Sequence, residues 1–198
     1  MRNANFQPDV VGIGGTTRAG SSTEKALRYV GAEIVRLGGR WTIFSGPQLI
    51  LPTYRRDPPQ RVEQASQVIE AMRNCDALVV ASPGYHGSFS GLIKNVLDYA
   101  EDLSLDSRPL LSGRAVGCIA SGLGWQAIGT TLASLRTVVH ALQAWPTPMG
   151  VALNTAGKVF SDTGEVLVPE FKLELDALAF QLMEFARMRH MYLQQAHS

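Results

Sequence analysis

Five short apolar runs, separated by stretches of helical period, constrain the fold of this chain more than any other feature. The runs are residues 10–14, 41–44, 76–81, 115–120 and 145–153. Several are apolar at nearly every position, the pattern of strands covered on both faces. The intervening segments 23–37, 61–74, 92–103, 127–142 and 172–193 read as amphipathic helices. In the first of them Ala26, Leu27, Val30, Ile34 and Leu37 recur at helical spacing, with Ser22 or Thr23 as cap and Gly38-Gly39 as stop. Strand alternating with helix calls for a parallel sheet between two helical layers. Right-handed crossovers and a glycine-rich first turn then fit a five-stranded sheet of order 2-1-3-4-5.

Bulk properties narrow the function. A chain of 198 residues fits one domain, so residues 1–198 are expected to form a single unit. The formal charge of +1 builds no field for nucleic acid or an anionic membrane, and it disfavours an acidic electron carrier that docks by charge. Cys75 and Cys118 sit at or in apolar runs and are expected to be buried thiols. Two cysteines cannot supply a four-cysteine metal or iron–sulfur site. Residues 1–9 lack the basic start and apolar core of a signal peptide, and no apolar run approaches the roughly 20 residues that span a bilayer. The expectation is a cytoplasmic protein with no membrane partner.

In an open parallel sheet, ligands sit beyond the carboxyl ends of the strands. Three loops leave there. The first, Gly14-Gly15-Thr16-Thr17-Arg18-Ala19-Gly20-Ser21-Ser22-Thr23, enters a helix N-terminus, where unpaired N–H groups and the helix dipole favour an anion. Thr16, Ser21, Ser22 and Thr23 add hydroxyls and Arg18 adds a cation. Gly15 and Gly20 have the Walker spacing, but Ser21 stands where triphosphate chemistry needs lysine. Gly12 and Gly14 open a dinucleotide fingerprint, but Thr17 takes its third glycine. A site for one monophosphate remains, the alternative being a capped helix entry without a ligand.

The second loop, residues 82–90, is rich in glycine and carries Pro83, Gly84, Tyr85 and His86, which can wrap a flat ring. The spacing Gly87 to Gly91 suggests a nucleophile elbow, but its centre is Phe89 rather than serine. His86 has no partner fixed by sequence and reads equally as an exposed loop residue. The third loop, Ser121-Gly122-Leu123-Gly124-Trp125, could floor the same pocket, with Trp125 as a packing or ring-stacking residue.

These stretches resemble the NADPH-dependent FMN reductases, a family of flavodoxin-like fold. Gly15-Thr16-Thr17-Arg18-Ala19-Gly20-Ser21 is similar to that family's Gly-Ser-x-Arg-x-x-Ser pattern. Residues 83–98, with Pro83-Gly84-Tyr85 and Leu92-Ile93-Lys94-Asn95, resemble its flavin-ring loop and following helix. Leu51-Pro52-Thr53-Tyr54 is also similar. The resemblance implies a flavodoxin-like three-layer α/β sandwich, non-covalent FMN, hydride from NADPH or NADH, and a homodimer or homotetramer. By position it implies phosphate contacts from Thr16, Arg18, Ser21 and Thr23, with Ser22 in the same loop. Pro83, Gly84, Tyr85 and His86 would meet the ring, and Ser121, Gly122 and Gly124 would line its third side.

Thr23 stands where the family often has Asn, Gly84 where it often has Glu, and His86 where it often has Asn. The middle loop resembles the branch that passes reduced flavin to sulfonate-cleaving monooxygenases more than the quinone- or azo-reducing branch. No catalytic side chain is expected, because the cofactor carries the hydride chemistry. Lys94 and Asp98 are expected to pair along a helix face, and Arg55 and Arg56 to be solvated or to meet a nucleotide phosphate. The final helix carries Leu173, Leu175, Leu178, Phe180, Leu182, Met183, Phe185 and Met188, more apolar surface than one stripe against its own sheet requires.

Overall fold

The computed structural model describes residues 6–57 and 60–196. Its strands are β1 (Asp9–Gly14), β2 (Arg40–Phe44), β3 (Ala77–Tyr85), β4 (Ser88–Phe89), β5 (Ala115–Gly122), β6 (Trp145–Pro146) and β7 (Val151–Asn154). The α-helices are α1 (Ser22–Arg36), α2 (Glu63–Asn74), α3 (Gly91–Asp98), α4 (Trp125–Ala141) and α5 (Pro169–Ala196). A short 3-10 helix, Gly46–Leu49, follows β2, and another, Tyr99–Leu103, continues α3.

The sheet runs β2-β1-β3-β5-β6, all neighbours parallel, which is the expected 2-1-3-4-5 order of a flavodoxin-like fold. It has seven strands rather than five, for two reasons. The expected fifth strand is broken: Ala115 pairs with Trp145 and Ile119 with Val151, so two extra residues bulge out opposite Gly117 and Cys118. Pro146 and Pro148 flank that break, and proline cannot donate to a ladder. The second reason is β4, which folds back antiparallel on the end of β3 through the pairs Gly84–Phe89 and Tyr85–Ser88.

Period-two alternation sorts the central strands between two cores. Val11, Ile13, Leu78, Val80, Val116 and Cys118 face α2, α3 and α4. Val10, Val79, Ala81, Ala115, Ile119 and Leu153 face α1 and α5. Strands paired on both sides and apolar on both faces are fixed in register, because a slip of one residue would exchange the two cores. Cys75 and Cys118 are free and buried, as expected. Helix α5 begins at Pro169, earlier than its apolar spacing suggests, since proline suits the first helical position.

Candidate functional site

Strands β1, β3 and β5 end side by side, and the helices that follow them begin there. The first turn is shaped by Gly15 (φ +106°) and Gly20 (φ +71°), left-handed conformations that glycine adopts without a steric penalty. Gly15 N donates to Ala81 O at 3.3 Å, tying the loop to β3. Thr16 Oγ1 accepts from Arg18 N at 3.1 Å and closes a tight turn. Arg18 is exposed, and its guanidinium has no ion pair among the described residues.

The cap of α1 is Ser21, one residue before the expected positions. Its buried hydroxyl accepts from Glu24 N at 3.3 Å. Ser22 and Thr23 therefore sit inside the first turn, where their N–H groups have no intrahelical acceptor. Buried Thr23 reaches across to β5, its Oγ1 3.4 Å from Ser121 Oγ. A side-chain carbon at Gly20 would meet no heavy atom within 4 Å, so space above the loop is open.

Glu24 is the residue that sequence reasoning missed. Its buried carboxylate accepts Gly20 N at 2.9 Å and takes Arg28 Nε and a terminal guanidinium nitrogen at 2.9 and 2.7 Å. The signal was available: Ser21 and Glu24 have the S-x-x-E spacing of a capping box, here shifted so that the carboxylate holds the residue before the cap.

The second turn differs from the expected loop. Strand β3 continues to Tyr85, and Pro83 lies in the ladder opposite Ser121. Pairing with β1 stops at Ala81, so Pro83 has a strand on one side only, a position that tolerates its missing N–H. Gly84 is pressed against α4, where an added Cβ would lie 2.7 Å from Thr131 Oγ1. That hydroxyl is buried and has no hydrogen-bond partner among the described residues. The space that a side chain at 84 would need is thus filled from α4. Tyr85 stands exposed at the hairpin tip.

His86 and Gly87 form a two-residue turn with φ of +51° and +86°, both left-handed. That geometry explains histidine at a position where asparagine is frequent, since both enter this region more readily than most residues. Ser90 caps α3, accepting from Ile93 N at 3.3 Å.

In the third turn, Ser121 is buried and Gly122 O accepts Thr155 N at 2.7 Å. Gly124 begins α4 without a side-chain cap, and Leu123 and Trp125 stand exposed beside it. The twelve residues singled out from sequence thus gather at one edge of the sheet, although Pro83 and Ser121 are buried and Gly84 faces α4. Lys94 and Asp98 pair along α3 as expected. Arg56 lies 3.4 Å from Glu101, and Arg55 is exposed beside it.

Likenesses to known proteins bear on this arrangement. The family model for NADPH-dependent FMN reductase matches residues 8–158. An FMN-dependent NADPH-azoreductase of Staphylococcus haemolyticus is 29% identical over 119 residues, 59% of this chain and 59% of that protein. The chain therefore matches little more than half the length of that curated relative. Among solved structures, the flavoenzyme NAD(P)H:(acceptor) oxidoreductase FerB of Paracoccus denitrificans superposes with a TM-score of 0.70 at 19% identity, over 90% of this chain and 98% of that one. A flavodoxin of Streptococcus pneumoniae gives 0.60 at 16%, over 88% and 98%. These two likenesses establish the flavodoxin-like fold. With three-quarters of its length matched by the family model, the chain belongs to the NADPH-dependent FMN reductase family.

Proposed function

We propose that this protein is an NAD(P)H-dependent FMN oxidoreductase that holds the flavin phosphate on the turn between β1 and α1. One observation carries the reading: the free N–H groups of the first turn of α1 and the exposed cation of Arg18, which has no ion pair among the described residues, belong to one open helix start in a chain of this family. The donor set suits a monophosphate dianion, and open space at Gly20 lets it approach the backbone. When bound, FMN supplies the chemistry, taking hydride from a nicotinamide and passing electrons to a second acceptor.

The chain's own part is to bind and orient. Thr16, Arg18, Ser21, Ser22 and Thr23 are assigned to the phosphate. The backbone of Gly84, Tyr85 and His86 and that of Ser121, Gly122 and Gly124 are assigned to the ring, with Pro83 stiffening the second turn. Buried Glu24 keeps Gly20 in place and is itself neutralised by Arg28. No side chain is assigned as acid or base.

For the acceptor, the curated relatives favour an azo compound. A flavin-dependent monooxygenase that takes reduced flavin is the rival reading, carried by the character of the second turn. We assign NADPH as donor over NADH on the family's description. The exposed Leu173, Phe180 and Met188 of α5 point to a homodimer or homotetramer. Free, buried thiols accord with a reducing cytoplasm, and no helix among the described residues is long and apolar enough to cross a membrane.

The test is a visible spectrum of the protein reconstituted with FMN, followed anaerobically by NADH and NADPH in separate runs. Retained flavin colour that bleaches faster with NADPH supports the assignment. A protein that stays colourless after FMN is added contradicts it.

A further inference from the structure

The carbonyl of Gly122 takes two hydrogen bonds from a single residue. Thr155, just past the end of β7, donates its N–H at 2.7 Å and its hydroxyl Oγ1 at 3.0 Å. Asn154 Oδ1 accepts Ala156 N at 3.0 Å and closes the turn that carries Thr155. The amide on the far side of the same peptide, Leu123 N–H, has no acceptor among the described residues.

Register fixes where that free amide points. In a parallel ladder each residue turns both of its backbone groups to one neighbouring strand, and successive residues alternate. Pro83 pairs with Ser121 and has no N–H, so the bonds of that pair come from Ser121, which faces β3. Gly122 then faces β7, in agreement with its bonds from Thr155. Across the trans peptide, Leu123 N–H opposes the Gly122 carbonyl and points back to the β3 side. There β3 has left the ladder. Its last pair with β5 is Pro83–Ser121, and Gly84 and Tyr85 turn away to β4. The amide therefore enters the gap between the second and third turns, the place assigned to the flavin ring.

We propose that Thr155 is a positioning residue for that ring: its two bonds lock the Gly122–Leu123 peptide so that Leu123 N–H donates to a polar atom of the flavin. The proposal rests on the flavin assignment and adds to it a donor and the residue that sets the donor. Two effects act together. The pinned carbonyl keeps the peptide plane from turning, so the donor is in place before the ring arrives. Hydrogen bonds accepted at one end of a peptide also polarise it and strengthen the donor at the other end. A donor at the ring is held more strongly once the ring has gained electrons, so this bond raises the reduction potential of the bound flavin.

The test is the midpoint potential of the FMN-loaded protein by spectroelectrochemical titration, with the Kd of oxidised FMN measured beside it. Thr155→Val keeps the shape and loses the Oγ1 bond. It should hold oxidised FMN within about twofold of the wild type and reduced FMN about fivefold more weakly, a potential about 20 mV lower. Thr155→Ser restores the hydroxyl and should recover most of the wild-type potential. Leu123→Pro deletes the donor itself and should lower the potential at least as far as Thr155→Val. The Leu123 side chain is 78% exposed and Gly122 already has the extended backbone that precedes proline, so this variant should fold. An unchanged potential in Leu123→Pro overturns the proposal, whether or not Thr155→Val folds. So does a Thr155→Ser protein that behaves as Thr155→Val, or an equal loss of affinity for oxidised and reduced FMN, which is what a merely structural role for Thr155 would give. A wild-type protein that binds no FMN removes the flavin assignment itself, whereas the other outcomes leave it standing.

Discussion

The hydroxyls of Thr23 and Ser121 lie 3.4 Å apart and both residues are buried, so the first turn of α1 and the end of β5 share a hydrogen bond across the top of the sheet. A neutral bond of this kind contributes about 1 kcal/mol, and a bond to a charged group about 1.5–3 kcal/mol. Thr23→Val removes the hydroxyl and keeps the shape. We expect a loss of about 1 kcal/mol in urea unfolding of the apo-protein. If Thr23 also serves the phosphate, FMN affinity should fall by roughly tenfold or more in a binding titration.

Gly84 and Thr131 form a size-complementary pair. Gly84→Ala drives a methyl carbon to 2.7 Å from Thr131 Oγ1, with Ala127 O also close at 3.3 Å. Overpacking of this kind costs about 1–3 kcal/mol. Thr131→Ala alone should cost no more than about 1 kcal/mol, because loss of a hydroxyl that has no partner among the described residues offsets loss of a buried methyl. The double variant should recover much of the loss, and a double-mutant cycle by chemical unfolding measures the coupling.

Glu24 separates charge from structure at the phosphate turn. Glu24→Gln keeps an acceptor for Gly20 N and removes a negative charge from the helix start, so FMN binding should tighten or hold. Glu24→Ala leaves Gly20 N without its acceptor and Arg28 without its partner. It should weaken FMN binding and cost about 1–3 kcal/mol of stability. Calorimetric titration beside thermal unfolding distinguishes the two substitutions.

Burial pushes the thiols of Cys75 and Cys118 up to about 12. Unfolded, they titrate near about 8.5. Above that pH the unfolded chain releases protons that the native chain keeps, so this contribution to stability is complete below about pH 8.5 and is lost as pH rises toward 12. The limiting slope is about 1.4 kcal/mol per pH unit for each thiol. Arg114, held near about 10 by burial, acts with the opposite sign only above that pH. Urea unfolding at pH 8, 9 and 10 should show stability falling, with about half the slope in Cys118→Ala. Native protein at pH 8 should resist thiol-specific reagents that label both cysteines once unfolded.

The first βαβ unit was legible because its signals are local: an apolar run, a glycine-bounded hydroxyl loop and a helical stripe lie consecutively. The end of β3 was not. Ser82-Pro83-Gly84 has the composition of a turn, yet pairing of Pro83 with Ser121 draws it into the sheet. That contact joins residues far apart in sequence, and turn propensity cannot report it. The broken fifth strand was half visible in Pro146 and Pro148, which announce a fault without stating that two residues bulge out. Glu24 is legible as S-x-x-E, but a carboxylate has the wrong charge to hold an anion, and its bonds to Gly20 N and Arg28 exist only in the folded turn. The close fit of Gly84 against Thr131 depends on how α4 sits on β3, which no single loop encodes.

Every role assigned to these three turns follows from a phosphate held at the start of α1. Its most direct test compares FMN with riboflavin, which lacks the phosphate, by titration against the apo-protein, in the wild type and in Arg18→Ala. FMN should bind at least a hundredfold tighter than riboflavin, about 2.7 kcal/mol. Arg18→Ala should remove about 1.5–3 kcal/mol from FMN and leave riboflavin unchanged. Equal affinity for the two flavins, or the same loss for both in the variant, would contradict it.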